Sequence, residues 1–477
     1  METDRQTVND RHRLLGFTVL CDFIQSEGID PVLENIQRAG ATAVAINPTV
    51  TEPSEEGQGV FQPPDDAGSS PRLFDRPLWG RRSLWLRGGP SFEPDERLYS
   101  GSYHPREAND LTARCGHIVG DFIKAARDRG IDVYLQVSAT APPGLREEDV
   151  PRLPDGRLPV DRMAATGSLA SDAIRDYNTA YVADLLQHFP AITGFRPDWP
   201  EYPCYKIDEL FQDFSPHVQT WCANHDIPFE PIRAEAAAFY DYMHGRLSNA
   251  DLEELVAVEP GAVLETEILG RFPLIERWLQ LKNALSVDLL AHWRAAITSA
   301  GGTDVELSAN AFMPPFSSFT GFDFSAVAEH CSAVSPKFYT MHWALMLHFW
   351  GTELLQSNPG IDENLLVRAL ANLFDLGVDT THAKLDAFSY PEPDEPHPVS
   401  DEAQARKIAQ VLDSVDGASM VTPIVHGYGP DDDFARRFAV AARSVTAGVW
   451  INRYGYLGDQ KLAAIGQSWR QSNTGRT

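Results

Sequence analysis

Short apolar runs alternate with amphipathic stretches along most of the chain, and their spacing predicts a strand-then-helix order with eight strands. LLGFTVLCDF (14–23) reads as strand 1, DPVLENIQRAG as a helix and TAVAINPT (42–49) as strand 2. LTARCGHIVGDFIKAARDRG repeats its apolar positions at helical spacing and delivers the chain into IDVYLQVSAT (131–140), strand 3. SDAIRDYNTAYVADLLQHF (171–189) opens on a serine able to cap a helix and leads into AITGFRPDW, strand 4, which ends at Asp198. DVELSANAF (304–312), AVSPKFYTMHW (333–343), SMVTPIVHGYG (419–429) and AGVWINRYGYL (447–457) supply strands 5 to 8.

Two segments depart from this rhythm. Residues 50–108 are rich in Pro, Gly, Arg and aromatics and too long for an idle connection, which predicts an active-site loop. Residues 205–300 are almost wholly helical in pattern and predict a helical insertion after strand 4. The expected fold is therefore α/β, with residues 1–477 forming a single (β/α)8 TIM barrel with long loops. A doubly wound open sheet is the competing architecture, and it fits less well because no glycine-rich phosphate loop follows the first strand.

Composition adds exclusions. The 43% hydrophobic and 22% charged content is that of a globular protein. A net charge of -27 disfavours nucleic acid and anionic membrane surfaces as partners. The five cysteines form no C-x-x-C pair, and no apolar region follows the charged segment METDRQTVNDRHR, so a reduced, cytoplasmic setting is expected. Oligomeric state is not legible.

In a barrel of this kind the reacting groups stand at the C-terminal ends of the strands. This selects Asp22, Asn47, Gln136, Arg196, Asp198, Trp199, Glu201, Tyr202, Asn310, Lys337, Tyr339, His342, His426, Asn452 and Arg453. Any one of them could cap a helix, satisfy buried backbone or close a structural ion pair; polar residues at so many consecutive strand ends are harder to explain that way. Asp198 is the leading nucleophile candidate, because Arg196 lies two residues away on the same strand face and would keep it ionised. Glu201 follows within roughly 10 Å of chain and could be the proton donor if Trp199 and Tyr202 exclude water from it. Pro197, Pro200 and Pro203 would stiffen the turn that carries both carboxylates.

GFRPD resembles the strand-4 G-F-R-x-D element of the α-amylase clan, and DWPEYP resembles the strand-4 element of bacterial glycoside-hydrolase-like (β/α)8 barrels. The likeness to the second group extends over roughly residues 110–345, through DVELSAN and SPKFYTMHW. It implies a carbohydrate substrate, with Asp198 as the nucleophile-like residue and Arg196 as its support. The chain departs from the amylase pattern where DVELSANAF offers no Glu at strand 5 and VHGYG no Asp after its His. Glu201 is the favoured substitute acid, ahead of Asp323 and Glu353. Trp79, Trp85, Tyr103, Trp199, Tyr202, Trp343 and Tyr454 are rings that could stack on sugars or simply pack under the loops.

The expected activity is hydrolysis of a small glycoside or oligosaccharide, without metal or other cofactor. Three rivals stand beside it. Lys337 could be the Schiff-base nucleophile of an aldolase. His342, His348, His382 or His426 could join acidic ligands in a metal-dependent sugar isomerase, although their spacing matches no tight ligand motif. A barrel that binds a saccharide without cleaving it is the third.

Overall fold

A computed structural model describes residues 13–64, 72–101, 103–160, 162–260, 268–445 and 447–474. The charged N-terminal residues 1–12 lie outside the described residues. The strands are β1 (Leu14–Thr18), β2 (Ala43–Ile46), β3 (Thr49–Ser54), β4 (Val60–Gln62), β5 (Leu84–Pro90), β6 (Asp132–Ser138), β7 (Gly194–Asp198), β8 (Glu306–Phe312), β9 (Ala333–Phe338), β10 (Met420–Val421), β11 (Ile424–His426) and β12 (Gly448–Asn452).

Nine of these join by parallel pairing in the order β10-β9-β11-β12-β1-β2-β6-β7-β8, and β8 closes onto β9. β10 and β11 both pair with β9 and are separated only by Thr422 and Pro423, so they share one position and the closed barrel has eight. Proline has no N–H for the ladder, which accounts for the break.

Side chains at every second position face the barrel axis. The lower interior is packed by Ala43, Ala45, Tyr134, Ile424 and Trp450. Trp450 fills so much of it that β1 can pass only with glycine: a Cβ on Gly16 would lie 2.2 Å from the indole. Tyr134 donates a 2.7 Å hydrogen bond to Glu306 Oε2 near the same level. The same alternation brings Asn47, Gln136, Asp198, Lys337, His426 and Asn452 to the upper rim.

The described residues of the 50–108 segment are more than a loop. They hold a three-stranded antiparallel sheet, β3-β5-β4, in which Thr49 faces Pro90 and Ser54 faces Trp85. The helical insertion after β7 comprises Ile207–Leu210, Pro216–Asn224, Phe229–Met243, Asn249–Ala257 and Leu269–Arg271. The long helix Pro273–Ser299 then packs on Asp172–His188 and returns the chain to β8. Ser171 caps Asp172–His188 as expected, its hydroxyl accepting from Ile174 N at 3.3 Å.

Two strand ends fall earlier than the apolar pattern predicts. β9 stops at Phe338 and the helix Thr340–Ser357 begins at once, which puts His342 in a first helical turn. Asp22 likewise sits in the first turn of Cys21–Glu27. Both helices bury much of their surface, so the apolar run continues across the junction and hides it. Among the described residues no helix is long and apolar enough to cross a membrane.

Candidate active site

Asp198 closes β7 with its side chain 26% exposed, and Lys337 of β9, 3% exposed, reaches past β8 to place Nζ 2.7 Å from Asp198 Oδ1. The expected partner was Arg196, and the structure corrects this. Arg196 shares the strand face with Asp198, but its guanidinium turns into the barrel. There Nη1 donates to Ser308 Oγ (3.1 Å) and Ser335 Oγ (3.3 Å), and Nη2 donates to Asn310 Oδ1 (2.8 Å). Its carbon centre lies 3.7 Å from the Trp450 centroid, a cation–π contact that water does not screen. Burial pulls this guanidinium down to about 9, with Asp198 only a minor opposing influence. Asn310 is thus buried and engaged by Arg196 below the rim.

Trp199 follows with φ of 60°, in the left-handed region that a non-glycine residue adopts at some energetic cost. Pro200 disfavours right-handed helix at this position. The result folds the indole under Lys337, whose Nζ lies 3.9 Å from the ring centroid and 5.3 Å from that of Phe312. Trp199, Phe312 and Tyr205 form an aromatic wall with centroid separations of 5.5 to 6.0 Å. The Tyr205 hydroxyl meets His342 Nδ1 at 2.8 Å.

Glu201 is wholly buried. Its Oε1 accepts from Phe312 N at 2.6 Å, and its Oε2 is bonded to the Thr320 hydroxyl. Burial pushes the carboxyl up to about 7, against the opposing pull of the Lys337 charge and these hydrogen bonds. Proton counting agrees. Thr320 Oγ1 also lies 3.2 Å from Ser317 O, and one hydroxyl proton cannot serve both acceptors. A protonated Glu201 resolves the conflict by donating to Thr320, which then donates to Ser317 O.

The remaining candidates divide into rim and core. Gln136, Tyr339, Asn452 and Arg453 are half-buried around the mouth. His426 lies beside Tyr339, with ring centroids 5.0 Å apart, and its Nδ1 accepts from Tyr428 N at 3.1 Å. Asn47 ties two loops together, accepting from Cys21 N at 3.0 Å and donating to Thr49. Asp22 is buried and pushed up to about 6 by desolvation, with Arg453 opposing.

Tyr202 does not wall the pocket: it is fully buried and donates to Asp213 Oδ2 at 3.0 Å behind the site. Tyr103, Trp343 and Tyr454 are likewise core residues, whereas Trp79, Trp85 and Trp199 remain partly exposed. Asp323 caps the turn at Phe324 by accepting from Ser325 N at 2.9 Å, and Glu353 pairs with His244 at 2.8 Å. Neither contact leads to Asp198. Sequence reasoning missed Thr320 and Tyr205. Tyr205 lies two residues beyond the DWPEYP element; nothing in the chain marks Thr320. Among the described residues no three His, Cys, Asp or Glu side chains converge as metal ligands.

No family model matches the chain. Part of it is 29% identical over 203 residues to the alpha-1,4-glucan:maltose-1-phosphate maltosyltransferase of Rhodospirillum rubrum, covering 39% of this chain and 27% of that protein. Among solved structures, the beta-galactosidase from the psychrophilic Marinomonas ef1 superposes with a TM-score of 0.51 at 10% identity, over 96% of this chain and 59% of that one. The catalytic domain of beta-amylase from Paenibacillus polymyxa gives 0.47 at 9% identity, over 96% and 98%. The chain therefore spans less than two thirds of both the maltosyltransferase and the beta-galactosidase. The closed ring of parallel strands and the first superposition agree: this chain has the (β/α)8 barrel fold, shared with that beta-galactosidase.

Proposed function

We propose that the protein is a glycosidase-like hydrolase of a small glycoside or oligosaccharide, with Asp198 as nucleophile or charge stabiliser and Glu201 as the acid. The observation that carries this reading is the contrast between two nearby carboxyl groups on one turn. Asp198 reaches solvent and is ion-paired by Lys337, whereas Glu201 is buried and pushed up to about 7. A buried carboxyl that keeps its proton up to about 7, close to a second carboxylate held in an ion pair, supplies the donor and the anion that glycoside cleavage needs. Lys337 links them, touching Asp198 and exerting the largest charge influence on Glu201. For acid catalysis Glu201 must turn from Thr320 toward the mouth when a glycoside displaces water there. Trp199, the partly exposed member of the aromatic cluster with Phe312 and Tyr205, offers a ring for a sugar C–H face.

A panel of aryl glycosides and short oligosaccharides, assayed for released reducing ends with the wild type and Glu201→Gln, tests the assignment. We expect turnover with a basic limb near pH 7 that Glu201→Gln removes; an unchanged profile in the variant takes the acid role from Glu201. The complete burial of Glu201 favours a second reading, a saccharide-binding barrel without turnover. Tight binding with intact ligand recovered after long incubation would establish that one instead.

A further inference from the structure

A cleft opens one strand over from Asp198, between the ends of β2 and β6 and the segment that follows β5. Its floor is polar, with Asn47, Gln136 and Ser138, and Ser138 is the register partner of Asp198. Its far wall carries Tyr177 and Tyr181, stacked with centroids 5.4 Å apart and planes 19° from parallel, and Arg106 faces both. The Arg106 guanidinium makes no hydrogen bond or ion pair with any described residue, and neither do the two phenol hydroxyls. Most arginines around the barrel are held by acids, as expected in a chain of net charge -27.

We propose that this cleft is a subsite for a saccharide unit carrying an anionic substituent, a carboxylate or a phosphate, adjoining the unit placed at Asp198. The inference rests on the carbohydrate reading of the Asp198 site. A guanidinium and two phenol O–H groups make a donor cluster for oxygen anions, and the partly exposed Tyr181 ring, backed by the buried Tyr177, is available to the apolar face of a pyranose. The long-range field of so acidic a chain opposes any anion, so an anionic sugar binds here only through such a local cluster. The polar strand ends of the floor would meet ring hydroxyls.

The test uses S-linked, uncleavable disaccharides that differ only at the terminal unit: glucose, glucuronate, or glucose 6-phosphate. Calorimetry on the wild-type chain should show at least one acidic ligand binding roughly tenfold or more tighter than the neutral one, as expected for hydrogen bonds to a charged group. The arm with the larger preference identifies carboxylate or phosphate. Arg106→Gln should bring the acidic-to-neutral ratio close to one, and Tyr177→Phe should lower it by a smaller factor. Because Arg106 is exposed and holds nothing else in place, its variant reports on binding rather than folding. Equal affinity for all three ligands, or a preference that survives Arg106→Gln, overturns the proposal. Acidic preference without cleavage of any O-linked counterpart would sink the hydrolytic reading alone. Asp198-dependent cleavage of neutral glycosides without acidic preference would sink the subsite alone.

Discussion

Replacing Glu201 by Gln should make the protein more stable as pH rises. The carboxyl is pushed from its ordinary value of 4.5 up to about 7, mainly by burial, so over that window the native state holds a proton that the unfolded chain releases. Stability rises with pH only where the unfolded state binds more protons; here it binds fewer, so the contribution of Glu201 becomes less favourable as pH climbs from 4.5 to 7. At roughly 1.36 kcal/mol per pH unit the accumulated loss is about 3 kcal/mol above pH 7. Glutamine reproduces the neutral form: Oε1 accepts from Phe312 N, and Nε2 donates to Thr320, which donates to Ser317 O. The variant and wild type should therefore match near pH 4.5 and diverge steadily to about 3 kcal/mol at pH 8 in favour of Gln. Urea unfolding of both proteins across pH 4 to 8, with slopes compared to confirm that the same surface unfolds, reads this directly. A difference that stays flat across that range would refute the reasoning, because Glu201 would then titrate alike in both states.

Lys337→Met should remove the partner of a largely buried Asp198, with a loss of about 3 kcal/mol, at the lower end for broken buried pairs because Asp198 still reaches water. The same change deletes the main charge holding the Glu201 carboxyl down, so its infrared-monitored titration should move above 7. Arg196→Met leaves the buried Asn310 oxygen without its donor and strips the cation from Trp450; thermal melts should show a loss of about 3 kcal/mol. Gly16→Ala forces a methyl to within 2.2 Å of the Trp450 ring, and a loss of at least about 2 kcal/mol with altered near-UV tryptophan dichroism is expected.

The barrel was legible because its strands are fed by helices with distinct apolar periods, and β1, β2, β6, β7, β8, β9 and β12 fall within the runs that predicted them. The sheet formed by β3, β4 and β5 was not, since Pro53, Gly88, Gly89 and Pro90 break any alternation in the segment. At the site, spacing placed Arg196 and Asp198 on one strand face, and the structure keeps them there. Spacing carries no information about where a long side chain finds its acceptors. The Trp450 ring and the Ser308, Ser335 and Asn310 oxygens draw Arg196 inward, and Lys337, two strands over, takes its place at Asp198. Tyr202 misled for a related reason. Its neighbour Glu201 is dehydrated by the end of β8 at Phe312 and the short helix Phe316–Thr320, while the Tyr202 ring turns to Asp213.

The most direct measurement is proton NMR of the anomeric region while wild-type protein and Asp198→Asn are each incubated with a mixed panel of neutral and acidic oligosaccharides. The account predicts new anomeric signals with the wild type and a loss of roughly a thousandfold or more in their rate of appearance with the variant, the scale expected when a group acting in the transition state is removed. Equal rates from the two proteins, or bound saccharide that remains intact with both, would contradict it.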